Sequence, residues 1–469
     1  MRLAACVAAA LALSLPAAAR AELVPGTAGA LDGALALSAD GVPQVAAIVG
    51  GRLVLASRGG DVWTTSTAPA LPSARAFVAG LAAAPGRRVY ALVEEASGRW
   101  LVLAERGGSG WRLRVLVRHP GGGALLGLAG LTLDGAGRPV VAYALVYPTQ
   151  KTLLWLVRPD RRGRYRARAI TRAGFPPSRS APSAAPVVLP GGEVRVVETF
   201  SGAAIEWAPI GRTWEGQFLH ASQLGSPAGP VAAAAAAGGV WSAWTELYPS
   251  FGESHVLLTL HRDGERTVVL HRHAFLVALA LAGEVPEVAA NDYVTDASGG
   301  AVYAGLVLTG SATLELGGKL VGYAAEPGGA ARQLVLAGAA GLEWYRADPL
   351  APVQVTLTAA PAGPGAVALS GAVAGASGGS VELVRERAGA APEPVATLPL
   401  GADGTFAATD VSPAAPLLYR AVYRGAPDAL PYGSLLRMPL TVARVSCLRD
   451  LGRDAPTVGA RIAVEVSAD

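Results

Sequence analysis

Two cysteines, two methionines and two lysines are all that this 469-residue chain contains of those residue types, and charged side chains make up only 16% of it. Cys6 falls in an N-terminal apolar run, so Cys447 has no intramolecular partner once that run is removed. No disulfide framework holds the fold, and the hydrophobic core must do so instead. The formal net charge is only +4, and no basic stripe carries interleaved aromatics, which excludes nucleic acid as the expected partner. Long apolar runs are also missing. The longest after the N-terminus, Ala274 to Gly283, falls far short of the about 20 residues that a bilayer span needs, so no transmembrane segment is expected. Helical periodicity with caps is absent, and Ala232 to Ala237 reads as a small-residue strand or turn rather than a helix. No H-E-x-x-H, P-loop or C-x-x-C pattern occurs, and no cofactor is expected.

What the chain has in quantity is glycine (59), proline (34) and hydrophobic residues (51%), a composition suited to many short strands joined by tight turns. It opens with Arg2, an apolar run from Leu3 to Leu15, Pro16, and then Ala19, Arg20 and Ala21. This is the layout of a secretory signal peptide over 1–21, with the mature chain starting at Glu22 and placed in the periplasm, at the cell surface or outside the cell.

From there a unit recurs in which a glycine turn feeds a buried strand. Its clearest copy runs from Leu131 to Tyr147, with Asp134, Gly137 and Pro139 at the turn. Other copies follow Asp40 and Gly41, Pro85 and Gly86, Gly191 and Gly192, Gly238 and Gly239, and Gly299 and Gly300, each trailed by two more strands. The spacing of roughly 45 to 60 residues is the period of propeller blades. An all-β, six-bladed propeller over 22–347 is therefore expected. A seventh blade stays open, completed by Ala331 to Leu336, Leu342 to Ala347 and the N-terminal segment. Past Asp348 and Pro349, seven short strands in quick succession predict a β-sandwich over 348–445, followed by a tail or edge strand over 446–469.

Two resemblances add to this reading. Ser370 to Val373, Gly379 to Arg385, Ala402 to Phe406 and Leu418 to Tyr423 together resemble the immunoglobulin-like modules of bacterial secreted and surface proteins, which implies a spacer or adhesive role. The glycine turns resemble those of secreted bacterial propellers and, more distantly, the Asp boxes of sialidase-like proteins. Ser38, Asp40 and Gly41 have one spacer too few for an Asp box, and the other copies lack the serine or the aspartate.

Functional residues are expected where the glycine-fed strands end, because those ends share one face of the disc. They carry Glu94, Tyr147, Glu198, Glu246, Tyr248 and Phe251. Carboxylates and aromatic rings converging there would suit a glycan or an extracellular protein ligand. His255, His261, His271 and His273 cluster in sequence, but strand alternation sends the first two to one face and the last two to the other, so no metal site is expected. The reading is a secreted or envelope-associated, non-catalytic binding protein. Its rivals are a sialidase-like glycoside hydrolase, which would need two carboxylates astride a sugar ring, and a structural envelope component.

Overall fold

The computed structural model describes residues 20–437 except 74, 119, 121–122, 150, 161, 172–181, 201–202, 222–225, 238, 249–252, 262–267, 273, 296–300, 310–311, 330, 339, 348–353, 364–365, 375–378, 387–392, 412–417 and 425–431. No α-helix occurs among the described residues. The chain up to Ala347 folds into seven antiparallel sheets, numbered I to VII here. Six are meanders of strands consecutive in the chain and the seventh adds one strand from the N-terminus, as alternating apolar residues punctuated by positive-φ glycines allow.

Sheet I comprises Ala34–Leu37, Pro43–Val49, Arg52–Gly59 and Val62–Thr67, and sheet II comprises Ala76–Ala84, Arg88–Glu95, Trp100–Gly107 and Gly110–Arg118. In sheet III the leading strand is split into Leu125–Leu126 and Gly130–Leu133, followed by Pro139–Val146, Thr152–Pro159 and Tyr165–Ala169. Sheet IV runs through Ser183–Val188, Val194–Phe200, Ala203–Ile210 and Thr213–Ala221, and sheet V through Ser226–Ala236, Gly239–Tyr248, Glu253–His261 and Val268–Arg272. Sheet VI holds Ala274–Ala282, Val285–Thr295, Ala301–Thr309 and Ala312–Glu315. Sheet VII has Lys319–Ala325, Arg332–Gly338 and Gly341–Ala347, and takes its fourth strand, Arg20–Leu23, from the N-terminus.

The leading strands touch in a closed cycle, I to II and onward to VII and back to I. That closure makes the array a β-propeller, with the sheets packed face to face around an axis. Turns from first to second and third to fourth strand lie on one face of the disc, termed the glycine-turn face. Links from second to third strand lie on the opposite face.

The sequence phasing holds for sheets I to V, where the glycine-fed strand is the second of each sheet. It slips at the sixth unit. Ala301–Thr309, expected as a second strand, is the third of sheet VI, and the apolar run from Ala274 supplies the leading strand, turned at Gly283 with φ 66°. Leu320 to Ala325, expected to trail the sixth unit, leads sheet VII.

Ring closure rests on the N-terminal strand. Glu22 is paired with Trp344 and Leu23 with Glu343, and Val24 N donates to Leu342 O at 2.8 Å. Thr27 Oγ1 accepts from Leu342 N (3.0 Å) and donates to Val24 O (2.7 Å). The Glu22 carboxylate reaches across to sheet I, accepting from Arg58 Nε (2.8 Å) and Trp63 Nε1 (2.6 Å). Trp344 is 1% exposed; its indole donates to Gln333 Oε1, Trp63 meets it edge-on at 5.8 Å, and Arg58 sits 4.9 Å from its ring. The processing point expected from sequence, between Ala21 and Glu22, falls inside this strand.

The leading strands share a second device. Several break register, at Val78/Gly80, Pro227/Val231, Leu276/Ala278 and Leu320/Gly322, and that of sheet III is interrupted outright. A break frees a backbone N–H in a buried place, where leaving it unpaired costs about 1–3 kcal/mol. A side chain of the preceding sheet takes it. Glu94 Oε2 accepts from Ala129 N (3.3 Å), Ser183 Oγ from Val231 N (3.0 Å) and Thr245 Oγ1 from Leu276 N (2.8 Å). Asn291 matches Leu320 N and O, both at 2.8 Å.

Two further sheets follow. Gln354–Gly363, Ala366–Ala374 and Thr405–Val411 form one; the other has the order Glu393–Pro399, Ser380–Glu386, Leu418–Arg424, Tyr432–Arg437. Leu357, Leu369 and Phe406 from the first pack with Val381, Leu383 and Tyr419 from the second, and Tyr419 donates to the buried Asp410 at 2.8 Å. Cys447 and the tail lie outside the described residues.

Two outcomes are expected. Trp344→Ala removes the aromatic that joins the closing strand to sheet I and should destabilise by about 3–5 kcal/mol, seen as a lowered unfolding midpoint. Glu94 gives a pH signature. Burial pushes its carboxyl up to about 8, against a weaker opposing pull from the Ala129 N–H. Below the ordinary carboxyl pKa it is neutral folded or unfolded. As pH rises towards 8 only the unfolded chain ionises freely, so stability falls over that window. Glu94→Gln keeps an acceptor for Ala129 N and cannot ionise, so thermal melts at pH 5 and pH 9 should show a smaller drop than in the parent.

Candidate functional site

Between sheets I and II, on the glycine-turn face, lies a cleft of about 920 Å³. Its origin is a change of chemistry along one sheet interface. The face of sheet I turned toward sheet II begins with Ile48 and Leu53, continues with Ala46 and Leu55, and packs there against Ala91, Val93 and Val102. One row further, strand register aligns Gln44 with Ser57 and Ser57 with Thr64. Three neutral polar side chains thus cross the sheet side by side where apolar ones would have closed the interface, and the sheets part.

The row is internally ordered. Ser57 Oγ donates to Gln44 Oε1, which fixes the amide with its nitrogen turned away, and Thr64 Oγ1 donates to Ser57 O at 3.2 Å. On the far wall Arg106 Nε and Trp111 Nε1 both donate to Ser66 Oγ, at 3.0 and 2.8 Å, tying the two sheets together beneath the opening.

The rim is built by two turns. In the first, Ser38 Oγ accepts from Val42 N (3.1 Å) and bonds the Asp40 carboxylate. That hydroxyl, then Asp40's own backbone N–H, hold the carboxyl below its ordinary value, with a lesser contribution from Arg87. In the second, Gly86 (φ 75°) is followed by Arg87 at φ 62°, the one non-glycine residue with positive φ among the described residues. A side chain in that region is strained and is held there by its surroundings.

Chemically the cleft offers hydroxyls, an amide, guanidinium groups and a single carboxylate, Asp40. Glycoside hydrolysis uses a pair of carboxyl groups, one of them protonated at working pH. Asp40 is alone among the lining residues, and its lowered pKa keeps it ionised.

The residues expected from sequence lie elsewhere. Glu94, Glu198 and Glu246 do end second strands toward the face opposite the glycine turns, but their carboxylates turn inward. Glu94 holds Ala129 N, as described above. Glu198, 1% exposed, accepts from Trp207 Nε1 at 3.0 Å, and burial pushes its carboxyl up to about 7. Glu246, fully buried, accepts from Trp244 Nε1 at 3.4 Å. Tyr147 is half-buried against the cluster that contains Tyr143 and Leu145. Tyr248 ends its strand, and its side chain lies outside the described residues, as do those of His255, His261 and His271; His273 and Phe251 lie outside them altogether. Among the described residues no group of three or more potential metal ligands forms. A smaller concavity of about 500 Å³ on that face, lined by Leu31, Asp32, Ile48 and Phe77, includes none of the expected residues.

Sequence reading had passed over Gln44, Ser57 and Thr64. The available signal was polar residues in strands otherwise apolar on the same face, Gln44 ahead of Ala46 and Ile48, and Ser57 after Leu53 and Leu55.

No protein-family model and no curated protein matches the chain. Solved structures with a similar chain course include SapL1 lectin in complex with alpha methyl fucoside, 13% identical, covering 61% of this chain and 95% of that one at a TM-score of 0.40. Aleuria aurantia lectin, titled a six-bladed β-propeller with a novel fucose recognition mode, is 13% identical over 60% of this chain and 94% of its own, also at 0.40. Penicillium chrysogenum α-L-arabinanase complexed with arabinobiose is 11% identical over 70% and 94%, at 0.38. Scores of this size transfer neither a site nor an activity to this chain.

Proposed function

We propose that the chain is an exported, non-catalytic glycan-binding protein whose ligand enters the cleft between sheets I and II. In this reading the seven sheets are the blades of a seven-bladed propeller, and the two C-terminal sheets are an immunoglobulin-like module that spaces it from, or docks it on, the cell envelope. Leader cleavage at Glu22 leaves the Glu22 anchor to Arg58 and Trp63 in place.

The observation that carries the reading is the transverse row of Gln44, Ser57 and Thr64. Gln44 is 7% exposed, so its amide sits at the cleft floor rather than in bulk water. Donors and acceptors held in register on a flat sheet match the alternating hydroxyls of a sugar ring, and the cleft volume falls in the range typical of ligand sites. The strand order of the last two sheets, three strands facing four, supports the immunoglobulin-like reading.

Calorimetric titration with an oligosaccharide panel tests the function. At least one saccharide should bind, and Gln44→Ala and Thr64→Ala should each weaken it about five- to tenfold, the loss of one hydrogen bond apiece. Chromogenic glycosides should not turn over. Unchanged affinity in both variants would place the ligand elsewhere, and turnover would favour a glycosidase.

A further inference from the structure

Among the residues that line the cleft, guanidinium groups outnumber carboxylates. Four charged side chains line it: Arg58, Arg87, Arg106 and Asp40. Arg58 is already compensated, bonded to Glu22 at 2.8 Å and to Asp61 at 3.1 Å on the side facing sheet VII. Arg87, Arg106 and Asp40 remain among the charged lining residues, two guanidinium groups to one carboxylate.

Arg106 rises from the third strand of sheet II. Its Nε goes to Ser66, and Nη1 goes to the carbonyl of the adjacent Gly107. A guanidinium has five N–H donors, so donor capacity is left over, and no carboxylate lies at ion-pair distance from it among the described residues. Arg87 stands in the turn before the neighbouring strand of the same sheet, where Val89 is paired with Arg106. It acts on Asp40 electrostatically, yet no ion pair joins them.

Five other arginines of the ring are ion-paired. Arg138 pairs with Asp134 (2.7 Å), Arg166 with Asp160 (3.2 Å) and Arg195 with Glu206 (2.6 Å). Arg332 pairs with Glu287 (2.7 Å) and Arg346 with Glu326 (2.6 Å). At the junction of sheets I and II, Arg87 and Arg106 line the polar cleft with no carboxylate at ion-pair distance among the described residues. One of them holds a backbone conformation that the equivalent turns reserve for glycine, such as Gly41 at φ 78°, Gly137 at φ 70° and Gly192 at φ 80°. A strained residue persists where the surrounding structure imposes it, and such positions concentrate at binding sites.

From these observations, and resting on the reading of the cleft as a saccharide site, we infer that its ligand is an acidic saccharide whose carboxylate or sulfate group lies between Arg87 and Arg106. The anion pairs with the two guanidinium groups, and the Gln44, Ser57 and Thr64 row takes the hydroxyls of the same or the next ring. Asp40 accepts a hydroxyl proton at the rim.

The test compares tetrasaccharides of galacturonate, a sulfated glycosaminoglycan and neutral glucose, together with inorganic sulfate, each titrated into the full-length protein. Acidic tetrasaccharides should bind about tenfold or more tightly than neutral ones in low salt, with the gap narrowing as ionic strength rises. Arg106→Gln and Arg87→Gly should each cost about tenfold for the acidic ligands. Glycine fits the φ of 62° without strain, so loss in that variant reports the guanidinium and not a broken turn. Arg166→Gln, on the same face but outside the cleft, should change nothing. Equal affinity for neutral and acidic saccharides would overturn the inference while leaving glycan binding intact. Sulfate binding as tightly as the sulfated saccharide would also overturn it, by making the cleft a plain anion site. Binding of no saccharide at all would remove the functional reading and the inference together.

Discussion

A ring of sheets is only as rigid as its last joint, and here that joint is the docking of Arg20–Leu23 on the outer edge of sheet VII. The strand pairs with its own sheet by backbone hydrogen bonds and is fastened to the next by the Glu22 carboxylate, which binds Arg58 and Trp63 of sheet I. Trp344 lies between them, edge-on to one aromatic and beneath the guanidinium. An ion pair alone at a surface contributes about 1 kcal/mol or less. Shielded by two indoles and held at both ends by strands, this one does more than add stability. It joins the last sheet to the first by side chains as well as by the packing of their leading strands.

The same sheet works in opposite senses on its two faces. Along Arg52–Gly59 and Val62–Thr67, alternate residues point to opposite sides. Arg58 and Trp63 face sheet VII and lock it; Ser57 and Thr64 face sheet II and hold it apart. A sheet clamped on one side can present a polar row on the other without the interface collapsing around it. Inside the ring, the side chains that capture broken leading-strand N–H groups do the complementary work. Glu94, Ser183, Thr245 and Asn291 stitch the innermost segments of sheets III, V, VI and VII to the sheet before each. Bulged inner strands can therefore crowd the axis without orphaned donors.

Much of this architecture was readable from the residues. Glycine turns ahead of apolar strands locate five second strands in phase, and seven strands follow from Gln354 among the described residues, the number expected. Phasing failed at sheet VI because Asp296 to Gly300 reads as a turn as convincingly as Gly283 does. Alternation alone does not tell a first turn from a later link. That Arg20–Leu23 completes sheet VII, a pairing between residues more than three hundred positions apart, has no local signature, and a seventh sheet could only be left open. The carboxylates were harder still. That Glu94, Glu198 and Glu246 end equivalent strands followed from spacing. Whether a strand's last residue points to solvent or inward depends on bulges in the neighbouring strand, which sequence does not display. The polar row was missed for a related reason. Gln44, Ser57 and Thr64 become neighbours only once two registers are known, and singly each is an unremarkable residue in a half-buried strand.

A crystal structure of the protein with a bound acidic oligosaccharide tests the central claim most directly, because it locates the ligand without relying on the effect of a substitution. The account predicts density between sheets I and II on the glycine-turn face, with ring hydroxyls on Gln44, Ser57 and Thr64. Density on the opposite face, with that cleft holding only solvent, would contradict it.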